Sequence, residues 1–405
     1  MRDRRKERDR AHNRHRLLFG VLRFLVGWFF CLRFNYKCEK VRLGKTPTIV
    51  LMNHNSDYDP IFAGIAFRGY MYFVASEHIL RMGIFSKFIK FVFDPILRVK
   101  GTTEARAAME ILKTLRSGRN VCLFAEGNRS FNGETGAILP ATGKLVKRSG
   151  AALVTYILRG GYHSTPRWGK GIRRGLVKGE LVNTYSSEEI ALMDDKEINK
   201  RIAEDLYVNA VDDQERFKIR YKGKKKTRAL GIEIAVYTCP DCGSTGTLRS
   251  ENDTLRCECG LDMRYTQYGT FEPLSGKGRF TNPLEWDRWQ KAALLDRLSS
   301  SDDTGEVILS DDAQTLYEVF AEDEKVIIYG RICLFRDRLT ITDNDGGGMT
   351  FPLSEIDDIE VTGRMTISFA ATDKRNFEIR SDHPRSASKY RESFRILTGK
   401  HLTER

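Results

Sequence analysis

A chain of 405 residues, 41% of them hydrophobic, has room for two or three packed domains, which excludes a disordered chain. Its formal net charge of +13 and pI near 9.3 suit an anionic partner surface, either nucleic acid or phospholipid headgroups, and charge alone does not choose between them. Of eight cysteines, Cys31, Cys38, Cys122 and Cys333 are scattered among apolar or strand-like neighbours, while Cys239, Cys242, Cys257 and Cys259 cluster. That usage excludes a secreted disulfide framework and points to reduced thiols plus a metal site in the cytoplasm.

Residues 1–16 are a charged stretch dominated by Arg, with Asp3, Glu7 and Asp9 mixed in, which reads as a solvated arm or a helix extension. Residues 17–34, LLFGVLRFLVGWFFCLRF, are the most membrane-like part of the chain and hold no small-residue cleavage site. A bilayer span needs about 20 apolar residues, and this segment is slightly short with Arg23 inside it. On a helix Arg16, Gly20, Arg23 and Gly27 fall on one stripe, with Leu18, Leu22, Leu25, Val26 and Phe29 largely opposite. The pattern favours an interfacial helix, with Arg16, Arg23 and Arg33 near lipid phosphates, over a helix packed on its own domain and over a span.

From Val41 to about Val236 strand-like runs (48–52, 71–75, 121–125, 152–158) alternate with helix-like ones (60–68, 84–92, 103–117, 139–149, 187–207), which predicts an α/β domain. The apolar run Thr48–Met52 ends in Asn53, Asn55, Ser56 and Asp57, residues that favour turns, so His54 is expected where a buried strand stops. Asp59 precedes Pro60, which predicts a helix start with Asp59 as its cap. Five residues apart, His54 and Asp59 diverge by about 140° on one helix, so only a strand-turn-helix brings them together. A carboxylate beside an imidazole fixes its tautomer and raises its basicity, as a general base requires. A second strand, in NVCLFAEGNRSFNG (120–133), runs into a loop carrying Glu126, Gly127, Arg129 and Ser130. Arg offers planar charged donors for a phosphate, Ser a hydroxyl, and Gly a close backbone approach.

In order and separation, NHNSDYD resembles the NHxxxxD motif of the 1-acylglycerol-3-phosphate acyltransferase family, and FAEGNRS resembles its FPEGTRS motif. The resemblance covers roughly residues 41–210. It implies a sheet flanked by helices, His54 as general base, and Asp59 as the carboxylate that holds it. It further implies a pocket for the acceptor's glycerol phosphate drawn from Glu126, Gly127, Arg129 and Ser130, with Arg98 of DPILRVKG placed like the Arg of the family's intermediate motif. Ala125 and Asn128 replace the usual Pro and Thr, and Val154-Thr155 stands where the family has VP, departures that bear on which acceptor is used.

The expected function is transfer of an acyl group from a thioester of coenzyme A or acyl carrier protein to a lysophospholipid hydroxyl, most simply 1-acylglycerol-3-phosphate, giving phosphatidic acid. Alternatives are another lysophospholipid, an amine-bearing lipid, or a non-catalytic lipid or nucleic-acid adaptor. No GxSxG elbow is present to host an acyl-serine. The expected location is the cytoplasmic side of an anionic phospholipid membrane, peripheral or monotopic.

After the basic run Lys224–Arg228, Cys239 and Cys242 form a CPxCG knuckle and Cys257-x-Cys259 supplies the second pair, with both thiolates expected on one face of a strand. This reads as a structural zinc ribbon over 236–270, without a basic and aromatic stripe of its own, so nucleic acid is not expected. Residues 282–299 read as an amphipathic helix carrying Trp286 and Trp289, followed by a linker, the whole spanning 271–303. From 304 to 405 the pattern turns to alternating strands with a closing helix at 386–397, which resembles the pleckstrin-homology or GRAM-type fold. The predicted organisation is thus an arm and interfacial helix (1–40), an acyltransferase domain (41–235), the ribbon, the linking helix, and the β-rich domain.

Overall fold

A computed structural model describes residues 2–81, 83–98, 105–300, 303–320 and 323–400. The chain divides into two compact units. The first holds residues up to Val99, Glu104–Pro166 and Ile172–Lys222, and the second includes Arg167–Gly171 and everything from Gly223 onward.

The first unit is built on the apolar run at 48–52. In chain order its elements are α1 (Arg2–Phe34), β1 (Tyr36–Cys38), β2 (Val41–Arg42), β3 (Thr48–Met52), α2 (Asp59–Ala66), β4 (Phe67–Arg68), β5 (Met71–Ser76), α3 (Ile84–Phe93), β6 (Ile96–Arg98), α4 (Ala105–Arg116), β7 (Asn120–Phe124), α5 (Ala141–Ser149), β8 (Ala152–Arg159), α6 (Gly161–Ser164), β9 (Val177–Tyr185), α7 (Ser187–Leu192), α8 (Asp195–Leu206) and α9 (Ala210–Phe217). Seven strands pair in the order β1-β9-β8-β3-β7-β5-β6. All five residues of β3 are buried, as expected for a central strand covered on both faces, and it runs parallel to both β7 and β8. Met52 pairs with Phe124 and with Tyr156, so β3 and β7 end level with one another while β8 runs on to Arg159. On α4 the expected apolar face buries Ala107, Ile111 and Leu115; residues 103 and 104 of the predicted helix lie outside those described.

Several expectations need correction. Asp59 does not cap α2: Tyr58 takes the capping position and Asp59 lies in the first turn, ahead of Pro60. The helix expected at 187–207 is two, because the Asp194 side chain accepts from the Glu197 amide and starts a new one. The arm and the apolar segment form a single helix, α1, and its stripes differ from the expected ones. Arg23 faces the domain, giving a hydrogen bond to the Phe67 carbonyl at 3.2 Å, and Gly27 is buried, while Phe19 and Phe34 enter the core. Phe34 packs edge-on against Phe62 at 5.1 Å. The outward stripe is apolar instead, with Leu17, Val21, Phe24, Leu25, Trp28 and Leu32 exposed. By length and composition Asp9–Phe34 could also cross a membrane.

In the second unit, a small antiparallel sheet pairs β10 (Leu248–Glu251), β11 (Thr254–Cys257), β12 (Asp262–Tyr265) and β13 (Phe271–Ser275) in sequence order. Helix α10 (Pro283–Ser299) follows, its Trp286 fully buried and its indole N–H donated to the Thr238 carbonyl at 2.8 Å. A second antiparallel sheet comprises β14 (Leu309–Val319), β15 (Glu324–Leu334), β16 (Arg338–Thr342), β17 (Gly348–Pro352), β18 (Ile356–Thr362), β19 (Thr366–Ala371) and β20 (Asn376–Ser381), ordered β17-β16-β15-β14-β20-β19-β18. Strand β14 is bulged between Asp311 and Gln314, where Ala313 takes φ 57°. Helix α11 (Ala387–Leu397) closes against β18 and β19. Arg167 and Trp168, far earlier in sequence, also belong here: Arg167 gives hydrogen bonds to the carbonyls of Gly363 and Val361, and fully buried Trp168 packs edge-on against Tyr265.

Candidate active site

Because β3 and β7 are parallel and in register to Met52 and Phe124, the two residues beyond each strand emerge side by side: Asn53 and His54 from one, Ala125 and Glu126 from the other. His54 Nδ1 lies 2.8 Å from Asp59 Oδ2, and that same oxygen accepts from the backbone amides of Asn55 at 2.7 Å and Ser56 at 2.9 Å. Asp59 is fully buried, so the three donors replace the water that its Oδ2 gave up. With Nδ1 donating its proton to Asp59, the imidazole presents Nε2 as its basic nitrogen. The His54 ring stacks on Phe124 with centroids 4.3 Å apart, and its side chain retains 21% exposure.

The loop is held from three sides. Asn53 exchanges two hydrogen bonds with the Leu158 backbone, at 2.7 and 3.0 Å, and the Asn55 amide also reaches the Leu158 carbonyl. Gly161 of α6 closes the third side, where an added Cβ would meet the Asn55 Cβ at 3.3 Å. From β7, Glu126 accepts from the His54 amide at 2.6 Å through one carboxylate oxygen and from the Gly136 amide at 2.7 Å through the other, while the Ser130 amide returns a bond to the His54 carbonyl. Burial pushes the Glu126 carboxyl up to about 8; the Gly136 and His54 amides oppose that rise, and the Asp59 charge adds to it.

The other expected pocket residues divide by what their polar atoms touch. Ser130 turns its hydroxyl into its own loop, toward Asn132 and the Gly133 amide. Arg129 reaches Asp57 at 2.9 Å, a carboxylate whose side chain is 70% exposed. Arg98 comes to the same loop from the end of β6: a Cβ on Gly127 would sit 2.9 Å from its Nη1, so the absence of a side chain there admits the guanidinium. His54, Asp59, Arg98, Gly127 and Arg129 therefore border one region at the ends of adjacent strands, with Glu126 and Ser130 tying its two loops together. The roles of Asn53, Asn55, Leu158 and Gly161 were not read from sequence, where the asparagines signalled only a turn. The four cysteines of the second unit also converge, with their sulfurs all within 4.8 Å of one another.

Residues 33–159, which contain both loops and Arg98, match the Acyltransferase family model. A comparison with curated proteins gives no match. Among solved structures, the 1-acyl-sn-glycerophosphate (LPA) acyltransferase PlsC from Thermotoga maritima is 20% identical, over 55% of this chain and 86% of its own, with a TM-score of 0.41. The C-terminal domain of an unknown protein from Leishmania infantum is 12% identical over 22% of this chain and 78% of its own, with a TM-score of 0.15.

Proposed function

We propose that the protein is a membrane-associated O-acyltransferase that moves an acyl group from a thioester, on coenzyme A or acyl carrier protein, to the hydroxyl of a lysophospholipid, with 1-acylglycerol-3-phosphate as acceptor. The observation that carries this reading is the His54–Asp59 pair, held on the loop that faces Glu126 and Arg129. In the proposed reaction His54 Nε2 takes the acceptor hydroxyl proton as that oxygen attacks the thioester carbonyl. The tetrahedral intermediate then expels a thiolate, a far better leaving group than an alkoxide, so one positioned base suffices without an acyl-enzyme. Asp59 keeps the proton on Nδ1 and stabilises the imidazolium. Arg129 and Arg98 supply guanidinium donors for the acceptor phosphate, which must compete with Asp57 for Arg129. Glu126 acts through the backbone as a positioning residue, since both its oxygens are engaged by amides.

Membrane association is supported by the outward apolar stripe of α1 together with Ile84, Phe88 and Phe91 on α3, which are exposed at positions i, i+4 and i+7. These features suit a monotopic enzyme on the cytoplasmic face of an anionic bilayer, where its acceptor resides.

The test is thiol release from acyl-coenzyme A by the purified chain with lysophosphatidic acid, alongside a panel of other lysolipids and an acyl carrier protein donor. Wild type should release thiol, and His54→Ala should lose about 10²- to 10⁴-fold in kcat. Equal rates in the two proteins would remove the assignment. Release with another acceptor only would keep the chemistry and change the product, and none with any acceptor would favour a non-catalytic adaptor.

A further inference from the structure

We propose that Cys239, Cys242, Cys257 and Cys259 bind one zinc ion as a tetrathiolate that staples the small sheet of the second unit to helix α10. The sulfurs of Cys239 and Cys259 are 3.7 Å apart and those of Cys242 and Cys257 are 3.8 Å apart. Four thiolates at the usual zinc–sulfur distance of about 2.3 Å define a tetrahedron with edges of about 3.8 Å. A disulfide would need about 2.05 Å, and all four thiols are free.

The backbone around the sulfurs is shaped for the same purpose. Gly243 gives its amide to the Cys239 carbonyl at 2.9 Å and Gly260 gives its own to the Cys257 carbonyl at 3.0 Å, so each pair sits on a tight turn. Both glycines have positive φ, 73° and 99°, which folds each turn back on itself. The Thr247 hydroxyl lies 3.2 Å from Cys257 Sγ. The shortened second pair works differently from the sequence expectation. Strand β11 stops at Cys257, and the following turn, rather than a shared strand face, brings Cys259 round.

On binding, four thiols release their protons to solvent and four sulfur–zinc bonds form, with no change of oxidation state. The product carries a charge of −2. The mechanical consequence follows from what the first turn is tied to. Gln290 of α10 accepts from the Tyr237 amide at 2.8 Å, and Trp286 donates to Thr238, immediately ahead of Cys239. The second turn joins β11 to β12. One ion thereby links the α10-anchored segment to the sheet, whose buried apolar residues are Leu248, Leu255, Met263, Tyr265 and Phe271, with Leu261 on the turn. Cys242 and Cys259 are exposed while Cys239 and Cys257 are buried, so solvent reaches the site from one side.

The full-length chain, purified without chelators, should contain one zinc per molecule by elemental mass spectrometry. Titration with an organomercurial in the presence of a colorimetric zinc indicator should release that zinc as four thiols react, a readout on wild type that needs no variant to fold. Cys242→Ser and Cys259→Ser, at the exposed pair, should lower the zinc content, whereas Cys333→Ser should not. Zinc in only a small minority of chains, iron in its place, unchanged zinc in both variants, or a mass showing two disulfides would each overturn the assignment. Thiol release at the His54 centre is scored separately, so failure of one reading leaves the other standing.

Discussion

Asp59 Oδ2 accepts three hydrogen bonds, two of them from main-chain amides that cannot turn away. Replacing that carboxylate by an amide preserves shape but places an N–H₂ or a weaker acceptor against three donors and releases the His54 tautomer. Asp59→Asn should therefore reduce kcat by about 10²-fold or more while changing KM little, as read by thiol release at saturating donor. The Asp57–Arg129 pair predicts the opposite split. Asp57→Asn removes a competitor and a negative charge from the phosphate's path, so the KM for lysophosphatidic acid should fall at low salt with kcat nearly unchanged.

Glu126 gives a pH signature. Its folded pKa of about 8 lies above the ordinary 4.5, so between those values the folded chain binds more protons than the unfolded one. Stability should thus fall as pH rises from about 4.5 through 8 and level off above, and Glu126→Gln should flatten that slope in urea midpoints measured from pH 5 to 8. At this scale the His54–Asp59 contact was legible because residue type and spacing carry it, while Arg98 came to the loop's neighbourhood only through the family resemblance. The inward turn of Glu126 and Ser130 was not legible, because their partners depend on which strands lie side by side, 72 residues apart in sequence for Glu126 and His54.

Among elements, the strands at 48–52, 121–125 and 152–158 were readable as short, β-branched apolar runs, since a strand buried on both faces has little room for polar residues. Strand β9 was missed: its sequence, VKGELVNTY, interleaves charge and polarity, and its burial is uneven. Helix α1 failed for the reverse reason. Apolar residues run nearly all round it, so the sequence alone gives no phase, and only packing decides that Phe19 and Phe34 point inward while Phe24 and Trp28 point outward. The two faces should separate experimentally. Phe34→Ala should cost about 3–5 kcal/mol of stability in denaturant unfolding, because it empties a fully buried site. Phe24→Glu with Trp28→Glu should leave that stability nearly unchanged and weaken co-sedimentation with anionic vesicles, whereas unaltered sedimentation would remove the stripe from the membrane account.

For the molecule as a whole, three of its four tryptophans, Trp168, Trp286 and Trp289, belong to the second unit, so intrinsic fluorescence reports mainly on that unit. Chelator should lower the denaturant midpoint seen by fluorescence, while thiol release at the His54 centre, whose residues all belong to the first unit, should persist. Composition and alternation made an α/β part followed by a β-rich part legible. They gave no sign that a few residues from the earlier part would serve the later one, because Arg167 and Trp168 find their partners almost two hundred and almost one hundred residues further on, respectively.

That detour has a practical edge. A ribosome finishes the α/β part of the sequence long before it has made the cavity that Trp168 fills, so the indole must wait uncovered until Tyr265 emerges. A fragment ending near residue 222 would keep that indole permanently bare and invite self-association. A fragment beginning at 223 would carry a hole comparable to a Trp→Ala change, about 3–5 kcal/mol. The two halves are thus obliged to travel as one polypeptide, and domain-swap or split-protein schemes that cut there should yield insoluble or weakened pieces.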